Sequence, residues 1–313
     1  MSTETHWISP SLMAISLNLL QLQPNPARPK FFKWNPVRPA VHFRAPARLT
    51  VVMSQITPSY WAAINEDIED HLRRVIPAKD PPAVYEPLGH FVFSAPRNSA
   101  PALCIAACEL VGGGRDQAIV AATALQLIHA ATYTREYPPL TAREISRAAV
   151  VDRVYGPNIQ LLTGDGIAPM VFEILAGSCD WSESGSERIR RVMVEMARAM
   201  GTEGWIGGQF RGLEETATAE EVSEKTEGGL HACGGACGVI LGGGNEEEIE
   251  KMRKYGKLVG MVKGMSKNVF GGKENERKKE KIEELKYLAF KELKDFKGEN
   301  VHEIYGFLDF EGL

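Results

Sequence analysis

The twelve residues Ala118-Ile-Val-Ala-Ala-Thr-Ala-Leu-Gln-Leu-Ile-His129 would be apolar on nearly every side of a helix. Such a helix is stable only when other elements surround it. Just before it, Pro101-Ala-Leu-Cys-Ile-Ala-Ala-Cys-Glu-Leu-Val-Gly112 predicts a shorter apolar helix. Cys104 and Cys108 lie one turn apart there, on one face. Gly112, Gly113 and Gly114 separate the two helices, and Asp116 and Gln117 open the second. The pair predicts a buried hairpin against which the rest of the chain packs.

The remaining periodicity is also helical. Trp61, Ile64, Ile68 and Leu72 mark one face, with Glu66, Asp67, Glu69 and Asp70 on the solvated sides. Ile189, Val192, Met193, Met196 and Met200 form a second stripe, the methionines reading as core filling. Asn245 and Glu248 stand at capping-box spacing before inward positions Ile249, Met252, Val259 and Val262, as Thr141 and Glu144 do earlier. Ile282, Leu285, Ala289, Leu293 and Phe296 mark a last helix; Phe307 and Phe310 beyond it are expected to tuck onto a partner. Gly228, Gly229, Gly234, Gly235 and Gly238 weaken a helix by propensity, so they predict close packing against another helix. His90-Phe-Val-Phe93 is too short to assign. With strand signals this sparse, the fold class is all-α.

The first fifty residues differ in kind. Glu4 is the only acidic residue before Glu66, while Arg28, Lys30, Lys33, Arg38, Arg44 and Arg48 are scattered among six prolines. A basic, acid-poor leader of this composition reads as an organelle transit peptide over 1–50, with cleavage between Arg44 and Ser54. Residues 51–313 then form one helical domain. The net charge of −4 gives no reason to expect nucleic acid. No apolar run is expected to reach the roughly 18 residues that a membrane span needs.

Cys104 and Cys108, with Cys233 and Cys237, invite a zinc reading. Structural zinc sites place their thiolates at turns with tighter spacing. Helical i, i+4 spacing among alanines and glycines favours packing, where cysteine acts as a small hydrophobe. Cys179 stands alone.

Leu103-Cys-Ile-Ala-Ala-Cys-Glu-Leu-Val-Gly-Gly113 with Gln126-Leu-Ile-His129 resembles the early core of plant geranylgeranyl diphosphate synthases. Cys233-x-x-x-Cys237 narrows the resemblance to the small, non-catalytic subunit of heteromeric geranyl diphosphate synthase. The likeness covers about residues 55 to 300. It implies the isoprenoid synthase fold, antiparallel helices around a central cavity, and cysteine pairs that help to hold a catalytic partner. In that family a cationic loop binds isopentenyl diphosphate; here it reads Ala95-Pro-Arg-Asn-Ser-Ala-Pro101, leaving Arg97 but placing Asn98 and Ala100 where cations stood. His129, Gln209, Lys225 and Thr226 match further pocket positions. Gly164-Asp-Gly166 and Gly201 to Gln209 also match the family's course.

Two aspartate-rich motifs that hold Mg²⁺ in catalytic relatives are degenerate. Glu136 and Tyr137 stand at the first, beside Arg135; Lys267 and Asn268 stand at the second. Mg²⁺ takes oxygen ligands, and a protonated lysine repels it. The resemblance therefore implies no cofactor in this subunit and Mg²⁺ in the partner. It further implies a geranylgeranyl diphosphate synthase-like large subunit as partner, in a heterodimer or heterotetramer. That partner uses isopentenyl and dimethylallyl diphosphate, its product shifts toward geranyl diphosphate for monoterpenes, and the assembly sits in the plastid stroma. Two alternatives stay open: a prenyltransferase active alone through Glu136, Asp165 and other carboxylates, and a thiol-based metal or redox module.

Overall fold

Glycines on one helix and small residues on its neighbour let two backbones approach to near contact, and this crossing sets the architecture. The computed structural model describes residues 58–76, 79–136, 155–179, 182–266, 273–297 and 301–308. Among these, twelve α-helices and no strand are found: α1 (Pro58–Val75), α2 (Pro82–Ser94), α3 (Ala100–Leu110), α4 (Arg115–Glu136), α5 (Gly156–Gly177), α6 (Glu183–Met200), α7 (Trp205–Gly212), α8 (Ala219–Lys225), α9 (Glu227–Gly242), α10 (Glu246–Ser266), α11 (Lys273–Glu292) and α12 (Val301–Gly306). His90-Phe-Val-Phe93, unassigned from sequence, lies within α2.

The predicted hairpin is α3 and α4. Nearly every residue of α3 is buried, and so is the middle of α4 from Ala121 to Leu125. Gly114 N–H donates to the Gln117 side chain at 2.8 Å, closing the turn between them. Helix α9 lies between α3 and α10. Methyl groups at Gly234 and Gly242 would stand 2.5 Å from the Ala100 carbonyl oxygen and 2.8 Å from that of Cys108. Gly238 lies equally close to Cys104. Since position 234 meets 100, 238 meets 104 and 242 meets 108, α3 and α9 run parallel. On its other side α9 meets Gly256 of α10, where a methyl group would fall 2.7 Å from the His231 carbonyl carbon.

The ends of α9 and α10 are secured by local chemistry. Gly243 closes α9 with φ of +83°, a left-handed conformation that glycine adopts without steric cost. The Arg188 guanidinium of α6 donates to the Leu241 carbonyl at 3.1 Å, satisfying one of the acceptors left at that end. Asn245 and Glu248 form the predicted reciprocal cap: Glu248 N–H donates to Asn245 Oδ1 at 3.0 Å, and Asn245 N–H to Glu248 Oε2 at 2.8 Å.

The core stripes fall as the periodicity predicts, with Trp61, Ile64, Val192, Met196, Met252, Val259, Leu285 and Leu293 all buried. One expectation is corrected. Phe307 does not wait for a partner: it is buried against Trp61 of α1, ring centroids 4.9 Å apart, with Lys263 over its face. Tyr255 O–H donates to the Ile304 carbonyl at 2.7 Å and ties α10 to the same C-terminal segment. Phe310 and the Thr141–Glu144 cap lie outside the described residues.

Candidate functional site

The parallel crossing of α3 and α9 brings three of the four paired cysteines together. Cys104 and Cys237 are fully buried and Cys233 almost so; Cys233 Sγ lies 3.7 Å from Cys237 Sγ. Burial pushes the Cys104 thiol well up, and the neighbouring thiols add to this. Cys237 is raised by its bond to Cys233 and then by burial. Cys108 turns away toward the glycine loop, 3.5 Å from the Gly114 carbonyl, and burial pushes it up to about 12. A thiol that resists deprotonation is a poor metal ligand and a poor nucleophile. Among the described residues no cluster of three or more His, Cys, Asp or Glu side chains is arranged for a metal ion. All four thiols lie beneath the surface rather than on it.

A polar junction forms where the loop before α3, the C-terminal half of α4 and the start of α9 meet. Asn98 Nδ2 donates to Glu227 Oε2 at 3.0 Å and lies 3.3 Å from His129 Nδ1. Asn98 Oδ1 accepts from the Ala100 N–H at 2.8 Å, which fixes the orientation of the amide. Ser99 Oγ lies 2.8 Å from His231 Nε2, and His231 Nδ1 donates to the Glu227 carbonyl at 2.8 Å. Of the residues named from sequence, His129 is here, but Arg97 is not. Its side chain is 66 % exposed and pairs with Glu69 of α1 at 3.2 Å.

Lys225 and Thr226 lie against α7 beside Gly208, the residue before Gln209. Gly208 of α7 lies so near α8 that a methyl group would be 2.6 Å from Thr226 Cγ2 and 3.1 Å from Lys225 Cβ. Thr226 is half-buried and donates to the Val222 carbonyl at 2.8 Å, while Lys225 is exposed. Ser99, Glu227 and His231 belong to the junction and went unnoticed in the sequence. The i, i+4 spacing of Glu227 and His231 was the available signal.

The degenerate metal positions follow the ends of two helices. The backbone of Glu136 ends α4, and Lys267 and Asn268 come directly after α10; Tyr137, Lys267 and Asn268 lie outside the described residues. One carboxylate, a phenol, an amide and an ammonium group do not make an oxygen-ligand set for Mg²⁺. The residues present do not fit the ion.

Helix α5 corrects the expectation about apolar length. Its 22 residues are long and apolar enough to cross a membrane, yet its residues divide into two faces. Gln160, Gly164, Ile167, Val171 and Leu175 are buried, and Gln160 Nε2 donates to the Thr134 carbonyl of α4 at 2.7 Å. Leu161 and Leu162 are 52 % and 65 % exposed, with Ile159 alongside. Asp165 and Glu173 also lie on exposed positions. A helix with one face locked into a bundle and an exposed apolar cluster at the start of the other, with carboxylates further along, fits a protein interface. Beside it, Val84 and Leu88 of α2 and Pro169 and Met170 of α5 line a groove of about 370 Å³.

Comparison with known proteins places this architecture. No family model matches the chain. It is 46 % identical over 258 residues to the chloroplastic heterodimeric geranylgeranyl pyrophosphate synthase small subunit 2 of Cannabis sativa, covering 79 % of this chain and 89 % of that one. It is 31 % identical to the chloroplastic small subunit of Arabidopsis thaliana over 80 % of its length and 82 % of that protein. The crystal structure of a geranyl diphosphate synthase small subunit from Antirrhinum majus superposes with a TM-score of 0.73 at 45 % identity, over 82 % of this chain and all of that one. An FPP/GFPP synthase from Zymomonas mobilis, 18 % identical, shares the fold with a TM-score of 0.69. Shared sequence along most of both chains, on an isoprenoid synthase fold, shows that this chain belongs to the small-subunit family of heterodimeric geranylgeranyl pyrophosphate synthases.

Proposed function

We propose that this chain is a non-catalytic regulatory subunit that binds a geranylgeranyl diphosphate synthase-like large subunit and shifts its product toward geranyl diphosphate. The observation that carries this reading is the exposed apolar cluster of Ile159, Leu161 and Leu162 on α5, whose other side is anchored in the bundle. A partner that covers the two leucines and the isoleucine gains at most about 1.5–3 kcal/mol for each, reduced by the share of each side chain the bundle already covers. The large subunit 1 of Arabidopsis is itself 31 % identical to this chain. Mg²⁺ and the isopentenyl and dimethylallyl diphosphates then belong to the partner. This chain acts on the shape of that partner and on the rate of product release.

The four buried cysteines lie on α3 and α9, where as small side chains they help to set the spacing of the two helices. The relatives are named chloroplastic, which supports a plastid address; the stroma, with residues 1–50 as the leader and 51–313 as the mature domain, completes the proposal. A prenyltransferase active alone is disfavoured by the donor set at Glu136, Tyr137, Lys267 and Asn268. A thiol module is disfavoured by the burial of its sulfurs.

The test is co-expression of residues 51–313 with a catalytic large subunit, followed by size-exclusion chromatography and product analysis. Co-elution with mainly ten-carbon product is expected, and Leu162→Asp should abolish co-elution while the domain stays folded. Turnover by the purified chain without partner would sink the reading.

A further inference from the structure

Gly164 and Gly166 of α5 face opposite ways. At Gly164 a methyl group would stand 2.5 Å from Thr134 Oγ1 of α4, so packing inside the bundle calls for that glycine. Gly166 is exposed, and a methyl group there would meet nothing within 4 Å among the described residues. Glycine inside a helix weakens it relative to alanine. No contact among the described residues offsets that loss at Gly166.

Gly166 belongs to a stripe of Leu162, Gly166, Pro169 and Glu173, at the spacing of one helix face. All four are exposed, and all four line the groove between α5 and α2, with Val84 and Leu88 on its α2 side. The stripe starts apolar, narrows to a glycine and ends on a carboxylate. Neither α2 nor α5 carries a lysine or an arginine, while both acidic residues of α5, Asp165 and Glu173, are exposed. Lys79, ahead of α2, is held over the Tyr85 ring, 5.9 Å from its centroid.

We infer that the partner lays one of its helices along this groove, its backbone in near contact with α5 at Gly166 and a lysine or arginine set against Glu173. This rests on the reading of α5 as the partner face. A large subunit related to this chain is built of helices, and a ridge of side chains on one helix packs into the groove beside another. With no side chain at position 166, the two axes can approach at the short end of the usual range of roughly 8–10 Å. A carboxylate at the edge of an apolar contact selects a cation opposite it and disfavours partners of like charge.

The experiment measures two quantities for each variant. One is the dissociation constant between the full chain and a purified catalytic large subunit, by isothermal titration; the other is the melting temperature of the chain alone. Gly166→Ala should melt about 1–4 °C above wild type, since nothing obstructs the methyl group, yet bind at least fivefold more weakly. Gly166→Leu should stay folded and bind at least tenfold more weakly. Glu173→Lys should bind at least fivefold more weakly. Wild-type affinity in both Gly166 variants, with Leu162→Asp still abolishing binding, would overturn the crossing and leave α5 as the partner face. Wild-type affinity in Glu173→Lys would overturn the basic side chain opposite it. A lowered melting temperature in free Gly166→Ala would also overturn the crossing, because this chain would then fill that space itself. If wild type does not bind, or Leu162→Asp binds as wild type does, the reading of α5 falls and the inference with it.

Discussion

Gly238→Ala tests the α3–α9 crossing directly. The new methyl carbon would lie 2.8 Å from Ala107 Cβ and 3.0 Å from the Cys104 carbonyl carbon. Carbon atoms sit favourably at about 3.5–4.0 Å, so the two helices must separate by roughly 1 Å at this point. Neither can retreat. Helix α9 is backed by α10, where a methyl group at Gly235 would already stand 3.0 Å from the Met252 carbonyl carbon, and α3 is buried on its other sides. Overpacking of this kind costs typically about 1–3 kcal/mol or more. The gain in helix propensity from glycine to alanine offsets roughly 1 kcal/mol. A net loss of up to about 2 kcal/mol should lower the melting temperature by up to roughly 8 °C in a domain of this size.

Gly89→Ala in α2 is the control, since a methyl group there meets nothing within 4 Å. It should stabilise by about 0.5–1 kcal/mol through propensity alone. Urea melts of both variants decide the matter. If Gly238→Ala gains as much as Gly89→Ala, the close approach of the two backbones is not what holds these helices.

The burial of four of the five thiols predicts that a disulfide exchange reagent titrates Cys179 rapidly in the native protein and all five cysteines only after denaturation. Replacing Cys233 and Cys237 together by serine should cost about 1–3 kcal/mol for each hydroxyl left unsatisfied and weaken co-elution with the large subunit, whereas alanine at both should weaken it less. Changing Arg97, Gln209 and Lys225 together to alanine should leave the assembled complex making mainly ten-carbon product; a return to twenty-carbon product in an intact complex would show that this chain's own pocket takes part. Burial and then the nearby Arg74 hold His71 below its ordinary value, while its Nδ1 lies 2.8 Å from Thr123 Oγ1. Its neutral form is therefore favoured in the fold. That stabilisation is full above the unfolded value of about 6.5 and lost as pH falls through the lowered folded one. His71→Gln should flatten the fall in urea midpoint between pH 7.5 and pH 5.

The apolar run from Ala118 to His129 by itself dictates a helical core, because a helix apolar on every side has to be surrounded. The cap at Asn245 and the stripes of α1, α6, α10 and α11 were legible for a similar reason: capping and helical periodicity are properties of a few neighbouring residues. The degenerate metal positions were legible as chemistry, since the identity of a side chain decides whether it can hold Mg²⁺.

What depended on two distant segments was not legible. The glycines of α9 announced close packing without naming α3 as the partner or the parallel direction. The same crossing gathers Cys104 with Cys233 and Cys237 and leaves Cys108 apart, a division that equal spacing within each motif hides. Arg97 was expected in a pocket and instead pairs with Glu69 of α1. Asn98, seen in the sequence only as a lost cation, bonds both to His129 and to Glu227, the latter 129 residues further along the chain. Nothing in the sequence marks Leu161 and Leu162 as outward; the bundle buries the opposite side of α5. A linear pattern specifies which face of a helix is apolar, but exposure, ion pairing and the company of a buried polar group are set by what packs across from it, and that is decided only when the chain closes on itself.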